Sequence, residues 1–408
     1  MGTKNTQFRT RGDFDGENTS GKSGVSWNTA QLGTASIFGV EATGGYIEDK
    51  IENGKKYRIH QFGLAGYPGE PGNPYYAASP PTGWTFVVSS AGALGGNIHY
   101  QVIGGGGGSG FPSSGGGGAG GFRTNFPGVV TDPTAPGGSV PLTGAAYPVS
   151  AGTYVVKVGS YGTYAGAPGS PAPNLGAMGG TSEFYPSGQS FPHPSYIRAY
   201  GGGAGTPSNY PSPPASPTAV RGSGGGGGYQ DPTGGPGNPG PAADPNHPII
   251  QGYPGGSGPT GDYGGGGGGG AGAKGANATP TGNGNGGTGV ISGIYPSPPT
   301  VNSGNGFYWC GGGGGSAETG KGGDGGTGGG GGGGGPSPGG PSNRGAGSTG
   351  SMWPGGGSYS GGSSGHGRGA NGGGGGGSLA PPSGDGRHGY GARGCVIIRY
   401  EIAMAQPL

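Results

Sequence analysis

The chain has 408 residues, of which 121 are Gly and 41 are Pro, while 28% are hydrophobic and only 9% are charged. This composition excludes helical architectures and the conventional enzyme folds of this length. Gly and Pro break helices, and the apolar side chains are too few for so large a core. The formal net charge of +2 argues against nucleic acid or a membrane surface as a partner held by charge.

Charged residues are concentrated at the N-terminus, so residues 1–56 have the composition of an ordinary soluble segment. Residues 1–56 lack the apolar stretch of a secretory signal. The chain has two cysteines, Cys310 and Cys395, which are too few to stabilise a protein of this length by disulfide bonds. We therefore expect a protein made in a cytoplasm, with reduced thiols. The sequence does not say whether the two cysteines lie close in space.

Five later runs are rich in β-branched and aromatic residues, and the clearest of them alternate between apolar and polar positions. They lie at 57–62, 84–88, 97–103, 153–158 and 395–402. This pattern predicts half-buried antiparallel strands, and no segment carries the pattern of an α-helix. The last run is the most apolar and has no partner near it in sequence, so we expect it to return to the sheet within 57–158. We therefore predict a small antiparallel β-domain over residues 57–160. The closing strand at 395–402 completes this domain, and with the tail that follows it forms the last segment, 395–408.

Seven uninterrupted glycine runs lie between the first strands and the last, at 104–108, 115–118, 224–228, 264–270, 311–315, 328–335 and 372–377. Flexible linkers rarely contain so many interspersed aromatic residues, and the G-X-Y triplets stop too soon for collagen. The remaining hypothesis is a bundle of polyglycine-II helices, whose N–H and C=O groups bond sideways to neighbouring helices. We expect residues 161–394 to form this bundle with long presented loops, in a fold that is otherwise mostly β and irregular.

The sequence offers no catalytic or metal-ligating pattern. Residues 16–23 match the letters of a P-loop, but they lack the preceding strand and following helix that phosphate binding needs. The six histidines lack ligand spacing, and no nucleophile–base pair or pair of carboxylates is readable. We expect a non-enzymatic protein that uses no metal and no cofactor.

Aromatic residues in the segments between the glycine runs are the candidate binding residues, because Tyr and Trp give large contact areas at low entropy cost. The candidates are Phe184, Tyr185, Phe191, Tyr196, Tyr210, Tyr229, Tyr253, Tyr295, Tyr308 and Trp309, and the same segments hold His193 and Phe307. The alternative is that these rings pack on one another and cap the bundle.

An ordered series of phrases resembles the glycine-rich proteins of tailed bacteriophages, a family of tail-fibre and receptor-binding (adhesin) components. The phrases are IHYQVI at 98–103 entering a glycine run, GGGGAGGFRT at 115–124, AGTYVVKVG at 151–159, GGTSEF at 179–184, IRAYGGG at 197–203, FYWC at 307–310 and GCVIIRY at 394–400. The high Pro content and the two cysteines depart from the family pattern, and residues 1–56 match nothing in it.

The resemblance implies a virion protein, made in the host bacterial cytoplasm, that presents receptor-binding loops on a polyglycine-II scaffold. Residues 1–56 would attach it to other tail or fibre proteins, and the ten candidate aromatics would bind a host surface polysaccharide or outer-membrane protein. A homotrimer is compatible with this interpretation, and nucleic acid is not an expected partner. The alternative is a non-adhesive structural virion protein, such as a head decoration, a head fibre or a tail-surface protein. An ice-binding protein is a third class, but the chain lacks the regular repeat it needs.

Overall fold

The structure of the protein is a computed structural model. It describes residues 39–63, 83–92, 95–127, 146–164, 175–208, 222–230, 234, 251–260, 264–279, 284–295, 307–317, 320–335, 346, 372–377 and 389–404. Within these residues there is no helix, and the secondary structure consists of antiparallel strands joined by extended glycine-rich segments. The expectation of a mostly β and irregular fold is confirmed.

Thirteen strands are described. They are β1 (Glu41–Thr43), β2 (Tyr46–Glu52), β3 (Lys55–Phe62), β4 (Trp84–Ser90), β5 (Asn97–Ile103), β6 (Phe122–Thr124), β7 (Tyr147–Pro148), β8 (Gly152–Lys157), β9 (Ser182–Pro186), β10 (Ile197–Ala199), β11 (Val290–Ser292), β12 (Phe307–Trp309) and β13 (Cys395–Met404). One sheet has the order β2-β3-β13-β5-β6, with β7 also pairing with β5, and a five-stranded sheet has the order β1-β4-β8-β9-β10. Strands β11 and β12 form a separate pair.

The closing strand lies at the centre of its sheet. Strand β13 pairs antiparallel with β3 on one side and with β5 on the other, so that Val396 lies opposite both Phe62 and Val102. All five predicted runs are strands, and the predicted return of the last run to the first sheet is confirmed. The glycine-rich sequence between β5 and β13 is thereby closed at both ends by one set of backbone hydrogen bonds.

The sheets begin earlier in the chain than the predicted boundary at residue 57. Strand β2 pairs with β3 along its whole length, and the two are joined at Asn53 and Gly54, which have φ angles of 51° and 76°. Asn-Gly is the preferred dipeptide of a two-residue hairpin turn, because both positions need a positive φ. The sandwich therefore includes residues 41–52 of the predicted attachment segment 1–56, whose first 38 residues lie outside the described residues.

The first core lies between the two large sheets. Phe62, Tyr100 and Val396 of the first sheet belong to the same buried cluster as Phe86 and Phe184 of the five-stranded sheet. Fully burying each of these side chains contributes about 1.5–3 kcal/mol. The two sheets thus form a β-sandwich, and Val88 of β4 with Tyr154 and Val156 of β8 complete its core.

A second core covers the other face of the first sheet. Ile59, Ile103 and Ile397 are buried there together with Val290 and Trp309 of the β11–β12 pair. Neighbouring residues of a strand point to opposite faces, so Ile397 enters this core while the next residue enters the first one. Burial on both faces explains why the closing strand is a nearly continuous apolar run.

The glycine runs are joined by backbone hydrogen bonds with a period of three residues. The N–H groups of Gly104 and Gly107 donate to the carbonyls of residues 121 and 118, those of Gly105 and Gly108 to residues 180 and 177, and those of Gly106 and Ser109 to residues 392 and 389. Successive donors therefore serve three neighbouring segments in turn. A threefold extended helix would give this repeat, and the polyglycine-II conformation itself stays a prediction.

Glycine is required in these runs because the neighbouring backbones leave no room for a side chain. A Cβ atom on Gly107 would lie 2.0 Å from the carbonyl oxygen of Gly203, and one on Gly117 would lie 2.1 Å from that of Gly107. The segments thus form a close-packed array that is joined mainly by backbone hydrogen bonds.

Candidate recognition site

Five of the ten candidate aromatics are buried, namely Phe184, Tyr185, Tyr196, Tyr253 and Trp309. Phe184 on β9 is a fully buried member of the core between the large sheets, and Trp309 on β12 is a fully buried member of the second core. Tyr253 is buried in a glycine-rich segment. Because a ring without accessible surface cannot contact a receptor, these five residues leave the set of direct contacts. For Tyr185 and Tyr196, which stack on each other, the alternative of rings packed on one another is the better description.

Three other candidates, Tyr229, Tyr295 and Tyr308, lie on different segments of the chain. The hydroxyl of Tyr295 donates to the Glu48 carboxylate at 2.5 Å, which ties the segment after β11 to strand β2. Tyr229 accepts a hydrogen bond of 3.0 Å from the amide of its neighbour Gln230. Tyr308 is half-buried on β12, and Tyr210 lies outside the described residues.

The structure brings together three candidates, the buried Tyr185 and Tyr196 and the half-buried Phe191, at the hairpin of β9 and β10. The rings of Tyr185 and Tyr196 stack with centroids 4.1 Å apart and an interplanar angle of 9°. The ring of Phe191 lies edge-on to Tyr196 at 5.8 Å. Strand alternation turns Tyr185 away from the core that holds its neighbour Phe184, and the connection from β9 to β10 folds back over this outer face.

Two cations and one carboxylate complete this group, called here the hairpin cluster: Lys157, Glu183, Tyr185, Phe191, Tyr196 and Arg198. Glu183 lies opposite Lys157 across β8 and β9, and opposite Arg198 across β9 and β10. Its carboxylate is 3.2 Å from Lys157 Nζ and 2.8 Å from Arg198 Nη2. The guanidinium of Arg198 also lies over the Phe191 ring, 4.1 Å from its centroid.

Tyr196 and Lys157 both keep their protons over the physiological range. Burial raises the pKa of the Tyr196 hydroxyl, and the nearby Glu183 carboxylate raises it further. A hydrogen bond with Tyr185, reinforced by Glu183, raises the pKa of Lys157. The group therefore holds two cations and the half-buried Phe191 ring at its surface, which can stack on an apolar ligand surface and donate hydrogen bonds.

An aromatic group that sequence reasoning missed lies beside the glycine array. Tyr390 is 5.7 Å from Tyr161 and 5.1 Å from Tyr164, both ring to ring, and Arg393 lies over the Tyr161 ring. Tyr161 is 39% exposed. The sequence signal is two Tyr residues three apart after β8, but nothing in it indicates that Tyr390, more than 200 residues later, joins them.

The two cysteines belong to the second core, where both are fully buried thiols. Burial raises the pKa of each thiol, and for Cys310 the nearby Cys395 adds to the effect. Across the described ranges, no three His, Cys, Asp or Glu side chains are grouped so as to hold a metal ion. The described part of the chain also contains no helix that could cross a lipid bilayer.

Comparisons with protein families, with curated proteins and with solved structures give no match for this chain.

Proposed function

We propose that the protein is a tailed-bacteriophage virion component, placed at a tail fibre or tail tip, that binds a host surface polysaccharide or outer-membrane protein. The observation that carries the proposal is the hairpin cluster. It places the half-buried Phe191 ring and two cations, Lys157 and Arg198, at the surface of a sheet whose other face is packed in the core, and the buried Tyr185–Tyr196 stack lies against them. Such preorganised rings and donors bind with little loss of side-chain entropy.

The glycine array supports this proposal by its rigidity. Its segments are joined by backbone hydrogen bonds of 2.7–3.2 Å that require no side-chain packing. Side chains outside the array are then free to vary without loss of the scaffold, which suits a protein whose receptor differs between hosts. Residues 1–56 remain the proposed attachment segment, with strands β1 and β2 as its junction with the sandwich.

The second candidate function is a non-adhesive structural virion protein, and the burial of five of the ten candidate aromatics favours it. Immunogold labelling of intact particles separates the two candidates. Label at tail tips or fibres supports adhesion, whereas label spread over the head supports decoration. If no particle carries label, both proposals are wrong.

A matched pair of variants tests the role of the hairpin cluster. Phe191→Ala removes a half-buried ring that covers Arg198, and we expect at least a tenfold loss of binding to host cells by the labelled protein, roughly 1.4 kcal/mol. Tyr229→Ala removes a half-buried ring elsewhere and should retain binding. Equal binding by the two folded variants would contradict the assignment of this site.

A further inference from the structure

Strand β2 is the outermost strand of its sheet among the described residues. It also carries exposed apolar side chains, with Tyr46 45%, Ile47 40% and Ile51 70% exposed. Ile47 and Ile51 are four residues apart and lie on the same face of the strand. A terminal strand with large apolar side chains is a template for pairing with another strand.

The charges on β2 do not protect it against such pairing. Charged side chains normally blunt the edge of a sheet by opposing the approach of a second edge. Here each one has an intramolecular partner: Glu48 pairs with Lys50, Asp49 with Arg58 and Lys56, and Glu52 with Arg399. The Asp49 carboxylate receives a bond of 2.8 Å from Arg58 Nε and lies 3.0 Å from Lys56 Nζ. It is therefore already compensated by two cations.

The sequence of β2, Tyr-Ile-Glu-Asp-Lys-Ile-Glu, is complementary to itself in antiparallel register. With Asp49 on a two-fold axis, Ile47 lies opposite the partner's Ile51, and Glu48 lies opposite the partner's Lys50. The axis repeats both pairs, so two apolar pairs and two acid–base pairs form at once. The charge at the axis itself is compensated within each chain.

We propose that β2 pairs with β2 of a second copy of this chain, forming a two-fold dimer with a sheet that is continuous across both. A single strand of seven residues buries less surface than the roughly 1,200 Å² of a stable interface. We therefore expect a reversible dimer with a dissociation constant in the micromolar range. Because a two-fold axis closes after two copies, this edge cannot build the homotrimer that the sequence resemblance allows.

Cysteine cross-linking of the whole chain tests the register. In the proposed dimer Asp49 faces its own copy, so Asp49→Cys should form a disulfide-linked dimer on mild oxidation. Ile51→Cys is the matched control: it is far more exposed, yet its two copies would lie about 14 Å apart at ~3.4 Å per residue. Cross-linking of Ile51→Cys at least as fast as Asp49→Cys would overturn the proposed pairing. The native cysteines are buried and leave the readout clear.

Sedimentation equilibrium between 1 and 100 µM, roughly the range of a weak dimer, tests the association itself. Ile51→Lys places a charge opposite the partner's Ile47, and the two-fold axis repeats this contact. We therefore expect the dissociation constant of the dimer to rise at least about tenfold. Tyr46→Lys adds the same charge opposite the partner's Glu52, where it meets an acidic side chain. The dissociation constant should therefore change by less than about twofold. A wild-type chain that is monomeric at the highest concentration overturns the proposal. Neither measurement involves a host cell, so its outcome is independent of the proposed adhesive function.

Discussion

Replacement of glycine by alanine should have opposite effects on stability at two positions of one glycine run, Gly264 and Gly268. A Cβ atom on Gly268 would lie 2.0 Å from the carbonyl oxygen of Gly117 and 2.5 Å from its carbon, whereas one on Gly264 meets nothing closer than 3.4 Å. Neither glycine has a positive φ. Gly264→Ala should therefore stabilise the protein by about 0.4–1 kcal/mol, because it reduces the entropy of the unfolded chain.

Gly268→Ala should instead cost at least about 3 kcal/mol, at the upper end of what overpacking costs in side-chain cores. The new Cβ atom would lie more than 1 Å closer to Gly117 than an ordinary van der Waals contact allows, and the atoms it would contact belong to the backbone. Gly117 cannot yield easily, because its N–H donates to Gly375 and its carbonyl accepts from Gly313.

Thermal unfolding followed by circular dichroism, together with urea titrations, measures both variants. We expect the midpoint of Gly268→Ala to lie several degrees below that of Gly264→Ala. Equal midpoints would mean that the glycine segments are loosely packed, and the account of the array as a close-packed backbone structure would be wrong.

Three further predictions follow from the packing. The amides of 104–108 should exchange hydrogen far more slowly than an unfolded chain, since each donates within the array; exchange as fast as in a linker would contradict the array. Burial holds the pKa of His60 at about 4, against 6.5 for the free side chain. This group therefore leaves stability unchanged above pH 6.5 and lowers it by up to about 3 kcal/mol as the pH falls towards 4; urea titrations should show this slope flattened in His60→Gln. The buried Arg399 donates to the carbonyls of residues 293 and 294. Arg399→Met should cost about 3 kcal/mol, whereas Glu52→Gln, at a more exposed partner, should cost less than about 1 kcal/mol in the same assay.

Apolar alternation was enough to predict β3, β4, β5, β8 and β13, but not the shorter strands β6, β7, β9 and β10 of the same two sheets. The closing strand could even be paired with a sheet some 300 residues away, because its apolar faces had to be covered. Strands β1 and β2 were missed, although Asn53-Gly54 is a strong hairpin signal between two alternating runs. The charged residues of β2 instead suggested a separate soluble segment.

The candidate site was predicted less well, because burial on a short strand depends on its partners. Phe184 and Tyr185 are neighbours in sequence, yet one lies in the core and the other on the outer face. Only the pairing of β9 with β8 and β10 decides which is which. Tyr161, Tyr164 and Tyr390 come together because the backbone hydrogen bonds of the glycine array bring their segments side by side. These backbone pairings cannot be predicted from a periodic pattern of side chains.

The central position of β13 has a consequence for synthesis on the ribosome. Every strand that β13 joins is translated long before it, so the first sheet is split between β3 and β5 until residues 395–404 emerge. Contacts of such sequence separation form slowly, and the nascent chain must meanwhile remain soluble with two incomplete cores. The abundance of glycine and the scarcity of apolar side chains then also limit aggregation, because the incomplete chain exposes few apolar side chains before β13 is synthesised.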